Sequence, residues 1–228
     1  MAAGLVVGGF HRLLESAAVV VAAVLTVVVA LALAPSLDGM AAGFGCVAAA
    51  AFGYAAADFV SGLLHWIFDR FFHEDTPYLG PNFVRPFREH HRDPDAIVAH
   101  DFVELNGNTC IAAIPVLAAT AWALPAEAGL GAICAASFVL SLVLWTLATN
   151  QIHRWAHAPL SPSPVRALQR AGLVLAPAHH AVHHRAPFDR CYCITSGLLN
   201  PWLDRVGLFR ALEAHVGPPR RGRRALRG

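Results

Sequence analysis

The chain has 228 residues, of which 56% are hydrophobic and only 14% are charged. Intrinsic disorder needs low hydrophobicity and high charge, so the composition excludes a disordered chain. An ordinary soluble domain carries about 25% charged residues, so the composition also disfavours a soluble domain. A net charge of +2, with 17 arginines and no lysine, also argues against a nucleic-acid partner. Against this apolar background stand 13 histidines, a residue type that commonly binds metals.

Four apolar stretches predict an all-α membrane protein with four transmembrane helices, namely Ala17–Ala34, Gly39–Phe68, Ile111–Leu124 and Leu130–Thr149. About 20 helical residues cross the hydrocarbon core of a bilayer. The first stretch ends as a signal peptide does, but its length favours a retained helix. The second is rich in small residues, as packed membrane helices are. The third is short and contains Pro115, so a partly re-entrant segment is an alternative there.

The arginines orient these predicted helices. All 17 lie near the N-terminus or in residues 70–110 and 150–228, and none lies in the short turns Pro35–Asp38 and Pro125–Gly129. The positive-inside rule then places both termini and both long polar segments in the cytoplasm. We expect an integral protein, of the bacterial inner membrane, with a basic tail over 214–228. Residues 197–216 predict one amphipathic helix at the membrane surface.

The second and fourth predicted helices each carry a polar stripe with steps of four, three and four residues. The stripes are Asp58, Gly62, His65 and Asp69, and Thr146, Asn150, His153 and His157. Residues three and four apart share a helix face. At 1.5 Å per residue both helices would be about 45 Å long, so we expect them to leave the membrane and bring their histidines together. Asp58 lies in apolar sequence, so it either orients a ligand, faces a polar cavity, or lies near enough to the interface to be wet.

Ten histidines form four clusters, all on the predicted cytoplasmic side: His65; His90, His91 and His100; His153 and His157; His179, His180, His183 and His184. The last four make two i,i+4 pairs, which we expect on one helix. Structural zinc sites close with four ligands, so about ten ligands fit a histidine-rich di-metal cap better. A metal transporter would hold its ligands near the membrane midplane. A binuclear iron site near the lipid could activate oxygen against a lipid chain.

Longer motifs surround these histidines. They are His65-Trp66-x-x-Asp69, Arg85-Pro86-Phe87-Arg88-Glu89-His90-His91-x-Asp93-Pro94, His100-Asp101-Phe102-x-Glu104-x-Asn106-Gly107, Thr149-Asn150-Gln151-Ile152-His153-x-Trp155-x-His157, His179-His180-x-x-His183-His184 and Tyr192-Cys193-Ile194-Thr195-x-Gly197-x-x-Asn200. In this order they resemble the plasmanylethanolamine desaturase family, which has a related plant plastid lipid desaturase. The similarity covers roughly 58–213, so we expect one lipid desaturase domain over the chain.

The resemblance implies an enzyme that turns the 1-O-alkyl chain of an ether phospholipid into a 1-O-alk-1'-enyl chain, giving a plasmalogen. Two iron ions, O2 and two external electrons would take part. No G-x-G-x-x-G fingerprint for a flavin or nicotinamide is present, so the electrons would come from a partner such as cytochrome b5 or ferredoxin with its reductase. The alternatives are an acyl-lipid desaturase or hydroxylase with the same histidine pattern, and a metal carrier or sensor.

The resemblance also assigns the site. The expected metal ligands are His65, Asp69, His90, His91, His100, His153, His157, His179, His180, His183 and His184. Arg85 and Arg88 are candidates to clamp the lipid phosphate, because arginine binds phosphate in a bidentate manner, although ordinary positive-inside charge explains them equally well. Asn106 and Asn150 are expected to orient ligands or water.

Overall fold

The computed structural model describes residues 2–37, 39–125 and 127–217, and every regular element in these ranges is helical. The predicted all-α fold is therefore confirmed. A short 3-10 helix follows α1, and a π-helical turn at Gly80–Val84 precedes α3. The α-helices are α1 (Ala2–Leu33), α2 (Met40–Arg70), α3 (Arg85–Arg92), α4 (Ala96–Ala99), α5 (Phe102–Ala123), α6 (Leu130–His157), α7 (Ser163–Arg170), α8 (Pro177–His183), α9 (Asn200–Val206) and α10 (Leu208–Val216).

Four of these helices are long and apolar enough to cross a membrane, as judged by length and composition. They are Gly9–Leu33 within α1, and the whole of α2, α5 and α6. The prediction for the third span needs a correction. Helix α5 begins at Phe102 and continues through Pro115 without a break, so the re-entrant alternative is wrong. The first turns of α5 are polar, so the apolar stretch that predicted this span begins later than the helix does. Membrane helices also tolerate an internal proline.

The chain divides into two compact units, and the first comprises Met1–Ala57 and His100–Gln151. Small residues let its helices approach closely. On α1, Ala18 and Ala22 are buried in one core cluster with Leu117 of α5. Between α2 and α6, a Cβ at Gly53 would lie 2.5 Å from the carbonyl oxygen of Phe138.

The start of α5 is capped by its own sequence. Asp101 accepts hydrogen bonds from the backbone N–H groups of Val103 (2.8 Å) and Glu104 (3.1 Å), and the Glu104 carboxylate accepts from the Asp101 N–H. This capping box satisfies backbone donors that have no partner within the helix. Arg12 of α1 donates to the same Asp101 carboxylate, so α1 and the N-terminus of α5 are tied together.

The second unit comprises Asp58–Ala99 and Ile152–Gly228, of which residues 218–228 lie outside the described residues. Most of the predicted basic tail therefore cannot be described. The predicted single helix over 197–216 is wrong, because α9 and α10 are separated at Gly207. Gly207 adopts a φ of +65°, a left-handed conformation that glycine accepts without steric strain. That the chain forms one domain stays a prediction.

Candidate metal centre

Nine side chains of the second unit form two groups of potential metal ligands, and within each group the ligand atoms lie within 4.8 Å of one another. The five-histidine group consists of His90, His153, His157, His180 and His184. The Asp69 group consists of His65, Asp69, His91 and His183. The groups are neighbours, since the rings of His90 and His91 are 4.5 Å apart and nearly perpendicular.

Helix geometry explains how a small number of helices supplies the side chains of both ligand groups. Residues four apart share a helix face, which pairs His153 with His157 on α6 and His65 with Asp69 on α2. Consecutive residues on a helix diverge by about 100°. The adjacent His90 and His91 of α3 therefore point into different groups.

The ring nitrogens of the five-histidine group face one another at metal-ligand spacing. Nε2 of His153 lies 2.8 Å from Nε2 of His180 and 3.2 Å from Nε2 of His157. Nε2 of His180 lies 3.0 Å from Nε2 of His184. Ligands bound at about 2.1 Å and at right angles lie about 3 Å apart. A neutral imidazole nitrogen either carries one proton or offers one lone pair, so these three contacts cannot all be hydrogen bonds. A shared cation resolves the conflict.

The Asp69 group combines three imidazoles with a carboxylate. Asp69 Oδ2 lies 3.3 Å from His65 Nε2, 3.4 Å from His91 Nε2 and 3.5 Å from His183 Nε2. Three buried atoms have no hydrogen-bond partner among the described residues, namely both carboxylate oxygens of Asp69 and Nε2 of His65. Buried polar atoms without partners are rare, so this convergence fits a cation that imidazole and carboxylate both bind.

Backbone carbonyl oxygens accept hydrogen bonds from Nδ1 of three of these imidazoles. Nδ1 of His65 lies 3.1 Å from the Tyr192 carbonyl oxygen, and Nδ1 of His183 lies 2.8 Å from that of Arg190. His90 bonds in the same way to Pro86, at 3.3 Å. A carbonyl accepts only from a protonated Nδ1, so each Nε2 keeps its lone pair for a metal. Sequence reasoning missed these carbonyls; Tyr192 and Pro86 stand in motifs named above, whereas Arg190 stands in none.

Burial keeps the imidazoles in the form that binds metals. Desolvation, followed by the neighbouring imidazoles, lowers the pKa of His90 and His180 well below the ordinary value. The same causes lower the pKa of His91 and His184 to about 3. All four are therefore neutral at pH 7, and metal binding there releases no proton from them.

Two predicted ligands belong to neither group. His100 is exposed and pairs with the Glu104 carboxylate at 3.3 Å. His179 accepts a hydrogen bond of 2.9 Å from the Asn200 amide. The structure gives both residues other partners, and neither is among the nine members of the two groups found in the described residues.

The predicted supporting residues also have different partners from those expected. Asn106 donates to the carbonyl of Phe102, one turn earlier in α5. Asn150 donates to the Leu105 carbonyl at 2.6 Å. Both amide N–H₂ groups therefore bind the backbone of α5, and the expectation that these residues orient ligands or water stays a prediction.

The two predicted phosphate-binding arginines differ in their surroundings. Arg85 is exposed at the start of α3. Arg88 is half-buried and donates to the carbonyl oxygen of Phe72. Arg85 therefore keeps its donors available to a ligand, whereas Arg88 already holds the loop after α2.

The comparisons with known proteins agree with this geometry. The lipid desaturase domain matches residues 54–222. Over 161 residues the chain is 47% identical to the plasmanylethanolamine desaturase of Myxococcus xanthus, which covers 71% of this chain and 57% of that protein. Identity to the mouse plasmanylethanolamine desaturase 1 is 41% over 165 residues, 71% of this chain and 61% of the mouse protein.

A plant relative is also similar, the chloroplastic fatty acid desaturase 4 of Arabidopsis thaliana, at 37% identity over 71% of this chain and 48% of that protein. The chain thus spans about half to three fifths of the length of these curated relatives. No solved structure matches it. Because the domain match covers well over half of the chain and includes both ligand groups, the chain belongs to the lipid desaturase domain family.

Proposed function

We propose that the protein is a di-iron lipid desaturase that introduces the 1'-alkenyl (vinyl ether) double bond into plasmanyl ether phospholipids. The observation that carries the proposal is the pair of adjacent ligand groups, buried among helices of a chain with four candidate membrane spans. Two relatives named plasmanylethanolamine desaturase support the choice of substrate.

The proposed reaction removes one hydrogen from each of the first two carbons of the ether-linked chain. The two carbons form a double bond, and the substrate gives up two electrons and two protons. O2 takes these together with two electrons and two protons from outside, and two molecules of water form. The external electrons require a carrier protein, for which cytochrome b5 or a ferredoxin with its reductase is the proposed class.

Iron fits the donor set, since imidazole and carboxylate oxygen are both ordinary ligands of iron. When bound, the two ions would supply the activation of O2 that the amino acids cannot. The five-histidine group would hold one ion and the Asp69 group the other. Asp69 is the one anionic ligand of the two groups, so it would offset more of the positive charge of the ion in its own group than the neutral imidazoles offset in the five-histidine group.

The protein's own part is orientation and exclusion of water. Carbonyls fix the rings of His65 and His183 with Nε2 toward Asp69. The side chains of His65 and His183 are 0% exposed, so bulk water does not reach their nitrogens. A dry site with fixed ligands protects reactive species from side reactions.

The substrate would enter from the lipid, with its headgroup at the polar side of the site. Arg85 is the better of the two candidates for pairing with the phosphate, because it is exposed and carries five N–H donors. The distribution of arginine supports a cytoplasmic position for this side, in a bacterial inner membrane.

An acyl chain is the second candidate substrate. The observation that favours it is the plant relative, whose name describes a fatty acid desaturase. The same two ligand groups would serve either chain, because both reactions remove hydrogen from neighbouring carbons of a lipid chain.

Lipid analysis tests the proposal directly. The full chain is expressed in a host that lacks plasmalogens and is supplied with plasmanyl lipids, beside the His153→Ala variant. We expect an acid-labile vinyl ether only with the unchanged chain and only with O2 present. A new acyl double bond without any vinyl ether would reject the first substrate in favour of the second.

A further inference from the structure

A buried segment without regular structure runs beneath the Asp69 group. This segment, the brace segment, covers residues 190–199, and its residues 192–197 are all buried. Buried backbone N–H and C=O groups must find partners, and no helix or strand supplies them here. Asp204 accepts the N–H of Cys191 and Asn200 accepts that of Cys193, and side chains on one face of α2 bind further N–H groups.

The middle of the brace segment is bound by two positions on that face. The hydroxyl of Ser61 accepts the N–H of Ile194 at 3.0 Å. At Gly62 a Cβ would lie 2.6 Å from the sulfur of Cys193, so only glycine permits this close approach. The brace segment therefore lies against α2 itself.

Asp58 anchors the far end of the brace segment. Its Oδ1 accepts the N–H groups of Ser196 (2.8 Å) and Gly197 (2.9 Å), and its Oδ2 accepts that of Leu199 (3.1 Å). Gly197 has a φ of +76°, which turns successive N–H groups toward one point and forms a nest for an anion. Asp58 is 0% exposed, so the nest replaces its hydration with charge-assisted hydrogen bonds.

The near end of the brace segment holds metal ligands. Its Arg190 and Tyr192 carbonyls accept from Nδ1 of His183 and His65, both members of the Asp69 group. In the five-histidine group, His153, His157, His180 and His184 contact one another through Nε2, and His90 bonds to the Pro86 carbonyl. Among the described residues, Nδ1 of His180 and of His184 has no hydrogen-bond partner.

We infer that Asp58 is a positioning residue for one metal and not for the other. By fixing the brace segment it fixes the two carbonyls that set the ring orientation of His65 and His183. Removing the Asp58 anchor should weaken the ion of the Asp69 group and leave the ion of the five-histidine group unchanged. This inference rests on the proposed di-metal function.

The experiment measures metal affinity in two single-site backgrounds. The full chain is purified in detergent without metal, and Fe²⁺ is titrated anaerobically. His157→Ala leaves the Asp69 group as the intact site, and His91→Ala leaves the five-histidine group intact. Adding Asp58→Asn should weaken Fe²⁺ binding about 10- to 100-fold in the first background and less than twofold in the second. The asparagine oxygen can still accept the N–H groups of Ser196 and Gly197, but its amide N–H₂ would face the N–H donor of Leu199, and the negative charge is lost.

Ser141→Ala is the matched control, since it removes another buried hydrogen bond of a membrane helix, to the carbonyl of Ala50. It should change affinity in neither background. Equal affinity loss in both backgrounds, or in neither, would overturn the inference. If Asp58→Asn does not yield monodisperse protein, Ser61→Ala carries the same comparison with the same criteria.

The readout separates this inference from the proposed function. A chain that binds two Fe²⁺ with the expected selectivity but makes no vinyl ether would sustain the inference and refute the proposed substrate. A wild-type chain that binds fewer than two Fe²⁺ would overturn both.

Discussion

The two ring nitrogens of some histidines in the ligand groups have different surroundings. One nitrogen faces the candidate metal position, and the other bonds to a backbone carbonyl. His183 illustrates it, with Nδ1 on Arg190 and Nε2 near Asp69. Such bonding fixes the tautomer and makes the ring a better ligand. Sequence spacing predicts which histidines share a face, but it does not predict these carbonyl partners.

Replacing His183 by alanine should abolish product while the protein remains in the membrane. The side chain is 0% exposed and lies 3.1 Å from the His91 Nε2, so its loss opens the Asp69 group. We expect desaturation to fall at least about 100-fold, as removal of a ligand does more than removal of its supporting partner. Vinyl ether by mass spectrometry and membrane-bound protein by immunoblot are the measurements.

The control for this change is His215→Ala, which alters an exposed histidine of α10 bonded to the Ala211 carbonyl. It should retain wild-type activity. Product formation by the His183 variant would remove His183 from the ligand set.

Metal-free protein should lose stability in mild acid. An unfolded histidine titrates near 6.5, whereas burial lowers the pKa of His91 to about 3 in the fold. Below pH 6.5 the unfolded chain therefore binds a proton that the folded chain refuses, and stability falls as the pH drops toward 3. At pH 5.5 the loss is about 1.4 kcal/mol for one such histidine.

The check is the melting temperature of chelated protein at pH 7.5 and 5.5. His91→Gln should show a smaller drop than the unchanged chain. An equal drop in both proteins would contradict the lowered pKa of His91.

Among the elements, α1 and α5 show how one small residue governs helix packing. A Cβ at Gly107 would lie 2.4 Å from Cβ of Glu15, a residue only 5% exposed. Helix α1 precedes the matched family domain, which begins at residue 54. Its packing against α5 was therefore not predictable from the family motifs.

Gly107→Ala should destabilise the first unit by about 1–3 kcal/mol, because the added methyl overpacks a buried contact. Gly131→Ala is the control, since a Cβ there meets nothing within 4 Å. It should be neutral or slightly stabilising, as alanine is the better helix former. Thermal unfolding in detergent measures both, and equal melting temperatures would show that Glu15 yields without strain.

Asp101→Ala should weaken the start of α5 by about 1 kcal/mol, the usual effect of losing an N-cap. The aspartate accepts two backbone N–H groups and also receives Arg12. Asp101→Asn keeps a capping oxygen and should recover most of the loss. Hydrogen exchange of the amides at residues 103 and 104 reports on the cap, and unchanged protection in the alanine variant would contradict it.

At the scale of the whole molecule, the metal centre gathers ligands from α2, α3, α6 and the end of α8. These residues are up to 119 positions apart, from His65 to His184. A bound ion joins elements that hydrophobic packing alone holds less firmly. The second unit should therefore depend on its metals for stability.

Removal of metal should lower the melting temperature of the protein, and Fe²⁺ should restore it. An ion present at about a thousand times its dissociation constant contributes about 4 kcal/mol to stability. The double variant His91→Ala with His157→Ala, which removes one ligand from each group, should show a smaller difference in melting temperature with and without chelator. A chelator effect of equal size in that variant would mean that the ion binds elsewhere.

The sequence by itself determined the helical class, the four candidate spans and which histidines share a helix face, because hydropathy and helical spacing are local properties. The ligand set stays a prediction, and the structure gives His100, His179, Asn106 and Asn150 partners that their motifs do not indicate. Only the tertiary structure decided how the ligands divide into two groups, and that Asp58 and the brace segment support one of them. The physical reason is that these contacts join residues far apart in the sequence, 141 positions for Asp58 and Leu199, and no local pattern records them.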